Sequence, residues 1–154
     1  MALLITTCKF VGTISLGLLT GVSYTLSTQS LPSLLTLPSA RPAAYTLAQS
    51  TRLATLHIRT LAAISTISLG LAYALSPSRV RHPYLLWTGL TAAVSGGYKF
   101  MRPTALIAEL ESEDVNGEQV ERRAREQQWV EMVRGAVSGV GFVMGVVGIW
   151  GDGA

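Results

Sequence analysis

Four apolar stretches without a single charged residue occupy most of this 154-residue chain, and any fold must first find a place for them. They cover residues 10–40, most continuously 10–26, and then 60–78, 83–98 and 135–151. A helix rises about 1.5 Å per residue and a bilayer hydrocarbon core is about 30 Å thick, so about 17–25 residues cross it. The stretches sit at the short end of that range. Flanking Lys and Arg extend them by snorkelling, which gives spans at 10–26, 58–76, 83–100 and 132–150. A soluble bundle would need a polar stripe on every helix, and these stretches offer only Ser, Thr and Gly between charges. The expected fold is therefore all-α: a four-helix transmembrane bundle forming one integral membrane domain, with a short polar helical loop between helices 3 and 4 at 102–131.

Charge is divided along the chain. Residues 1–108 carry eight Lys/Arg and no Asp or Glu, whereas residues 109–154 carry all nine acids and four Arg. The basic residues fall at segment ends, where lipid headgroups are their natural partners, so the pattern points to a bilayer and not to nucleic acid. With four spans both termini share a side with the 76–82 turn, and the connections 27–59 and 99–134 share the other. The second side holds nine Lys/Arg against three, which by the positive-inside rule turns the two larger loops to the cytosol.

Cys8 is the only cysteine, so neither an intramolecular disulfide nor a metal-ligand cluster is expected, and no cofactor is implied. The first stretch has only Lys9 before it and three spans after it, which reads as a retained helix and not as a cleaved signal; residues 1–8 lack the Arg-rich amphipathic pattern of a transit peptide. Catalysis would need a nucleophile with a positioned base, and the only histidines, His57 and His82, each lie near a span end with no acid close in sequence. The chain reads as a non-enzyme. A proton-coupled transporter would need an acid inside a span, and the four spans contain none.

Between the first two spans, Pro32, Pro38 and Pro42 are expected to break the helix and leave a segment lying along the membrane surface. Helical pattern resumes from Ala43, with Arg52 and Arg59 seven apart on one face and His57 beside them as an interfacial side chain. The polar stretch 104–134 reads as two helices joined at Asn116-Gly117. After that turn, Glu118 with Arg122, Glu121 with Arg125 and Arg122 with Glu126 form four-apart pairs that carry the helix through Trp129 into the last span. Before it, Glu109, Glu111, Glu113 and Asp114 surround Ser112 in a compact negative patch. These five residues are the candidate docking surface for a cytosolic partner.

Gly17 and Gly21, Gly135 and Gly139, and Gly141 and Gly145 are each spaced four apart, which places small faces where helices in lipid can touch; a homo-oligomer is a further expectation. At the tight return between spans, Arg81 and His82 suit the headgroup layer, Pro83 suits a first helical turn, and Tyr84 and Trp87 suit the aromatic belt. These five are expected to anchor the bundle at the interface.

The run Arg81-His82-Pro83-Tyr84-Leu85-Leu86 after a Pro/Ser turn resembles the fungal autophagy-related protein 33 family of mitochondrial outer-membrane proteins. The close at Gly148-Ile149-Trp150-Gly151-Asp152 resembles the family's terminal pattern, and Lys9, Gly12, Ser15-Leu16-Gly17-Leu18 and Gly21 add agreement in the first span. The resemblance departs in the polar loop, which is short and charged where the family's is longer and serine-rich. It implies a role in mitophagy, without a catalytic mechanism, through membrane organisation or a recruited autophagy protein. Its alternatives are an accessory subunit of a larger membrane complex or a small transporter. A direct receptor would expose an extended aromatic-x-x-aliphatic peptide, for which Trp87-Thr88-Gly89-Leu90 and Trp129-Val130-Glu131-Met132 are poor candidates because both read as helical.

Overall fold

The computed structural model describes residues 2–77, 81–97 and 116–151, and all regular structure among them is helical. α1 (Ala2–Thr25) continues through a π-helical turn (Leu26–Ser30) into the short α2 (Leu31–Leu34); α3 (Ala40–Leu75), α4 (Tyr84–Gly97) and α5 (Gly117–Gly151) follow. Successive long helices run antiparallel, since Gly12 meets Leu69 while Leu19, further along α1, packs with Ala54, Ile58 and Ala62, earlier on α3. α1 packs on α3 and α5, and α4 packs on the same two, so the order around the bundle is α1, α3, α4, α5.

The distribution of side chains inverts that of a soluble bundle. Leu18, Ile67, Leu90, Val140 and Val147 face outward, whereas Ser23, Ser65, Thr88, Ser95 and Ser138 are fully buried beside Leu16, Leu19 and Leu69. Some interior hydroxyls are satisfied inside their own helix: Thr88 donates to Tyr84 O at 2.8 Å and Ser95 to Thr91 O at 2.7 Å. Ser65 instead crosses to Gly12 O at 2.9 Å. Three helical segments, Leu3–Leu34, Ala40–Leu75 and Gly117–Gly151, are long and apolar enough to cross a membrane. The described part of α4 is 14 residues, a rise of about 21 Å, which is short of a full hydrocarbon core.

Pro32 does not end its helix, contrary to expectation. Its ring would clash with the Thr28 carbonyl one α-turn earlier, and the backbone avoids this by widening: Leu31 donates to Leu26 O, five residues back. The break comes at Leu35–Ser39, and Pro42 then sits in the first turn of α3, where a missing N–H costs nothing. Nor does this connection simply follow a surface. Leu31 and Leu34 of α2 pack with Ala43, Ala44, Leu47 and Ala48 of α3 and with Val120 and Ala124 of α5 in a separate small core.

Candidate functional site

α5 begins at Gly117, with the Asn116 Oδ1 accepting the Glu118 N–H at 3.3 Å. Its first turns carry water-facing pairs, Arg125 with Glu121 at 2.9 Å and Arg123 and Arg122 with Glu126 at 3.2 and 3.5 Å. One turn further the same chemistry disappears inside. Glu131 is 2% exposed and Arg134 8%.

The two side chains form an ion pair through Arg134 Nη1 and Glu131 Oε1. Arg134 Nε donates to the carbonyl of Ser95 at 3.0 Å, and the Ser23 hydroxyl donates to Glu131 Oε2 at 3.1 Å. Ser95 lies two residues before the described end of α4, and the guanidinium on its carbonyl sets a positive charge towards the negative end of that helix's dipole. An unpaired charge in this position would be strongly unfavourable; here each partner neutralises the other and is hydrogen-bonded as well. The pair therefore ties α1, α4 and α5 together at one level.

Neighbouring turns continue the tie. Thr20 donates to the Ser138 hydroxyl at 2.9 Å on one side. On the other, Gln128 Nε2 donates at 2.9 Å to Ser27 O, the carbonyl whose usual partner, the Leu31 N–H, has been taken by the π turn. Thr51 of α3 donates to Gln127 Oε1 at 3.1 Å. Close approach of α1 and α5 depends on small residues: Gly135 lies against Ser23, Gly139 against Thr20, and Gly145 against Thr13.

Of the other glycines singled out by spacing, Gly17 lies under the Phe142 ring, where an added Cβ would come within 2.8 Å, and Gly141 faces Thr91 and Leu16. Gly21 has no neighbour within 4 Å. Four residues advance a helix by about 40°, enough to turn Gly21 away from the contact that Gly17 makes. At the α3–α4 return, the Arg81 guanidinium lies 4.9 Å over the Tyr73 ring and donates to Ser76 O at 3.3 Å. His82 stacks at a tilt 6.1 Å from Tyr84. The Pro83 carbonyl accepts the N–H groups of Leu86 and Trp87. Trp87 is exposed and Tyr84 packs on Gly148. The candidate docking residues Glu109, Glu111, Ser112, Glu113 and Asp114 lie outside the described residues.

His57 is exposed and donates its Nδ1 hydrogen to Leu53 O at 2.8 Å. Both aromatic-x-x-aliphatic peptides are helical, and Val130 and Glu131 of the second are buried. Among the described residues no group of three or more His, Cys, Asp or Glu is placed to hold a metal. Glu131 itself is the residue that sequence reasoning missed. Sequence reading places it in the polar loop 102–131 and leaves the spans free of acids, and its three-residue spacing from Arg134 equals that between the ion-paired Arg123 and Glu126. The one distinguishing signal was the apolar company of Val130, Met132 and Val133.

The described residues thus define an all-helical protein with three helical segments long and apolar enough to cross a membrane, tied internally by a buried ion pair. The sequence model of Autophagy-related protein 33 matches residues 1–128. The chain is also 35% identical, over 179 aligned positions, to Autophagy-related protein 33 of Gibberella zeae, covering 95% of this chain and 90% of that protein. This chain belongs to the autophagy-related protein 33 family. The alignment is longer than the 154 residues here, so the relative carries inserted residues that this chain lacks. No solved structure matches. The family match ends three residues before Glu131, so the ion pair lies beyond it.

Proposed function

We propose that the chain is a four-span protein of the mitochondrial outer membrane that promotes selective autophagy of mitochondria without catalysing a reaction, by organising the membrane or recruiting a cytosolic autophagy or membrane-organising protein to its polar loop. The observation that carries this reading is similarity to Autophagy-related protein 33 along 95% of the chain. The non-catalytic part is supported by the way the buried polar groups are spent on one another: Glu131 binds Arg134 and Ser23, and Arg134 binds Ser95. α4 packs between α3 and α5 as an equal member of the bundle, which supports counting it as the fourth span.

The test is protease protection on intact mitochondria with an epitope placed within residues 104–115, ahead of the Asn116 cap, together with mitochondrial turnover in cells lacking the protein. Cleavage of the epitope while intermembrane-space markers survive, and slowed turnover restored by the gene, is the expected result. A protected epitope or unchanged turnover overturns the proposal. One observation favours a second reading as a small transporter, namely the buried carboxylate of Glu131. Proton flux in reconstituted vesicles that disappears with Glu131→Gln would establish that reading instead.

A further inference from the structure

α2 gives two leucines to the small core that it shares with α3 and α5, and little else holds it there. Leu31 and Leu34 lie buried against Ala44, Leu47, Val120 and Ala124. The hydrogen bonds around them are local. Leu35, Thr36 and Leu37 donate their N–H groups to Pro32 O, Ser33 O and Leu34 O, each at 3.2 Å, and the Ser33 and Thr36 hydroxyls donate to Ser30 O and Ser33 O. Among the described residues, no hydrogen bond from 31–38 reaches α3 or α5. The nearest tie of that kind is at Ser27 O, which accepts from Gln128. We propose that residues 31–38 form a strap that lifts as a unit from the crevice between α3 and α5, hinged at the π turn, while the rest of the bundle stays folded.

Three observations make the strap separable. First, both of its ends have already left α geometry. The π turn Leu26–Ser30 precedes it, a widened turn of the kind found at functional sites, and beyond it Ser39 is extended at φ −145°, ψ 150°. Second, the hinge is loosely packed on its neighbour. A groove of about 330 Å³ lies beside it, lined by Leu26 and Ser30 of the turn and by Ser50, Leu53 and Ala54 of α3, which leaves the turn room to rotate without displacing α3. Third, the core under the strap is separate from the next one, where Leu19 packs with Ala54, Ile58 and Ala62. Lifting the strap leaves that second core intact, and the Thr51–Gln127 hydrogen bond still joins α3 to α5. A segment held by few buried side chains and by hydrogen bonds of its own opens at the low end of a protein's stability range. Closed, the strap hides Ala44, Leu47, Val120 and Ala124; open, it turns them into an exposed apolar crevice.

The strap does not depend on a role in mitophagy, and its test uses the protein alone. Full-length protein carrying Cys8→Ser, which removes the only native thiol, and Val120→Cys, which sets a thiol under the strap, is reconstituted in phosphatidylcholine bilayers. Amide exchange over residues 31–37 and alkylation of the thiol at position 120 are followed on the same sample. Both are expected to report one opening, faster than exchange in α1 over residues 10–24. Leu34→Ala should speed both by about thirty-fold or more, with amides of α1 and α4 unchanged. Leu31→Val, which removes a single methylene and keeps the core filled, should speed both by about five-fold and serves as the second variant. Strap amides that open only together with those of α1 and α4 overturn the proposal. So does a thiol whose alkylation neither variant changes, or one that reacts as fast as a free thiol before any change to the strap.

Discussion

Arg134 of the last helix donates its Nε hydrogen to the backbone carbonyl of Ser95, 39 residues earlier in the chain. A side chain on α5 thus bonds the backbone of α4, with Glu131 neutralising it in the bundle interior. The pair is a packing element with a charge, and its removal should be felt across three helices.

Breaking it by halves is the first prediction. Arg134→Ala leaves Glu131 buried and unpaired and should destabilise the bundle by about 3–5 kcal/mol, whereas Glu131→Gln with Arg134→Met should cost less than Arg134→Ala alone. Unfolding in mixed detergent micelles followed by circular dichroism measures both. A double variant as unstable as the single one would mean that the pair adds more than it offsets.

Glycines at contacts should separate from glycines facing outward. At Gly148 an added Cβ would run into the Tyr84 ring, so Gly148→Ala should destabilise by about 1–3 kcal/mol through overpacking. Gly21 has open space, so Gly21→Ala should be neutral or stabilise by up to about 1 kcal/mol through helix propensity. The same unfolding assay ranks the two.

Gln128 holds the one carbonyl that the π turn releases on the α5 side. Gln128→Ala should leave Ser27 O without its partner and weaken the turn by about 1 kcal/mol, seen as roughly five-fold faster amide exchange across Leu26–Leu31 with little change in α3. Exchange that stays slow there would show that Pro32 alone fixes the widened turn.

The start of α5 should respond to its cap. Asn116→Ala should cost about 1 kcal/mol by freeing the Glu118 N–H, and Asn116→Asp should restore it. Helix content and amide exchange over residues 117–121 report the difference.

Much of the architecture was legible because hydropathy and helical period speak directly to it: the apolar segments, the return at Pro83 and the helix running from Gly117 through Trp129 all follow from local pattern. What was not legible depended on a partner. Lys9 looked like the boundary of a span, yet α1 begins at Ala2 and Lys9 is accommodated by Tyr84, 75 positions later. Pro32 looked like a helix end, and the widened turn that spares it leaves its freed carbonyl to Gln128, a residue with no sequence sign of that role. Glu131 resembles Glu126 in its charge spacing, and its place inside depends on Ser23 of α1 and, through Arg134, on Ser95 of α4.

The long helices overshoot in one direction only. α3, with 36 residues, rises about 54 Å, and its excess lies at the amino-terminal half, beside α2 and the first turns of α5, where Leu31, Leu47 and Val120 share a core. At the opposite end α3 and α4 are joined by a short return and α5 closes on Trp150. A bilayer around this bundle would therefore be nearly flush with the protein on one face and carry a folded prominence about 25 Å tall on the other. Any macromolecule approaching from the flush side would meet mostly lipid; one approaching from the other would meet the helices that share the small core of Leu31, Leu47 and Val120.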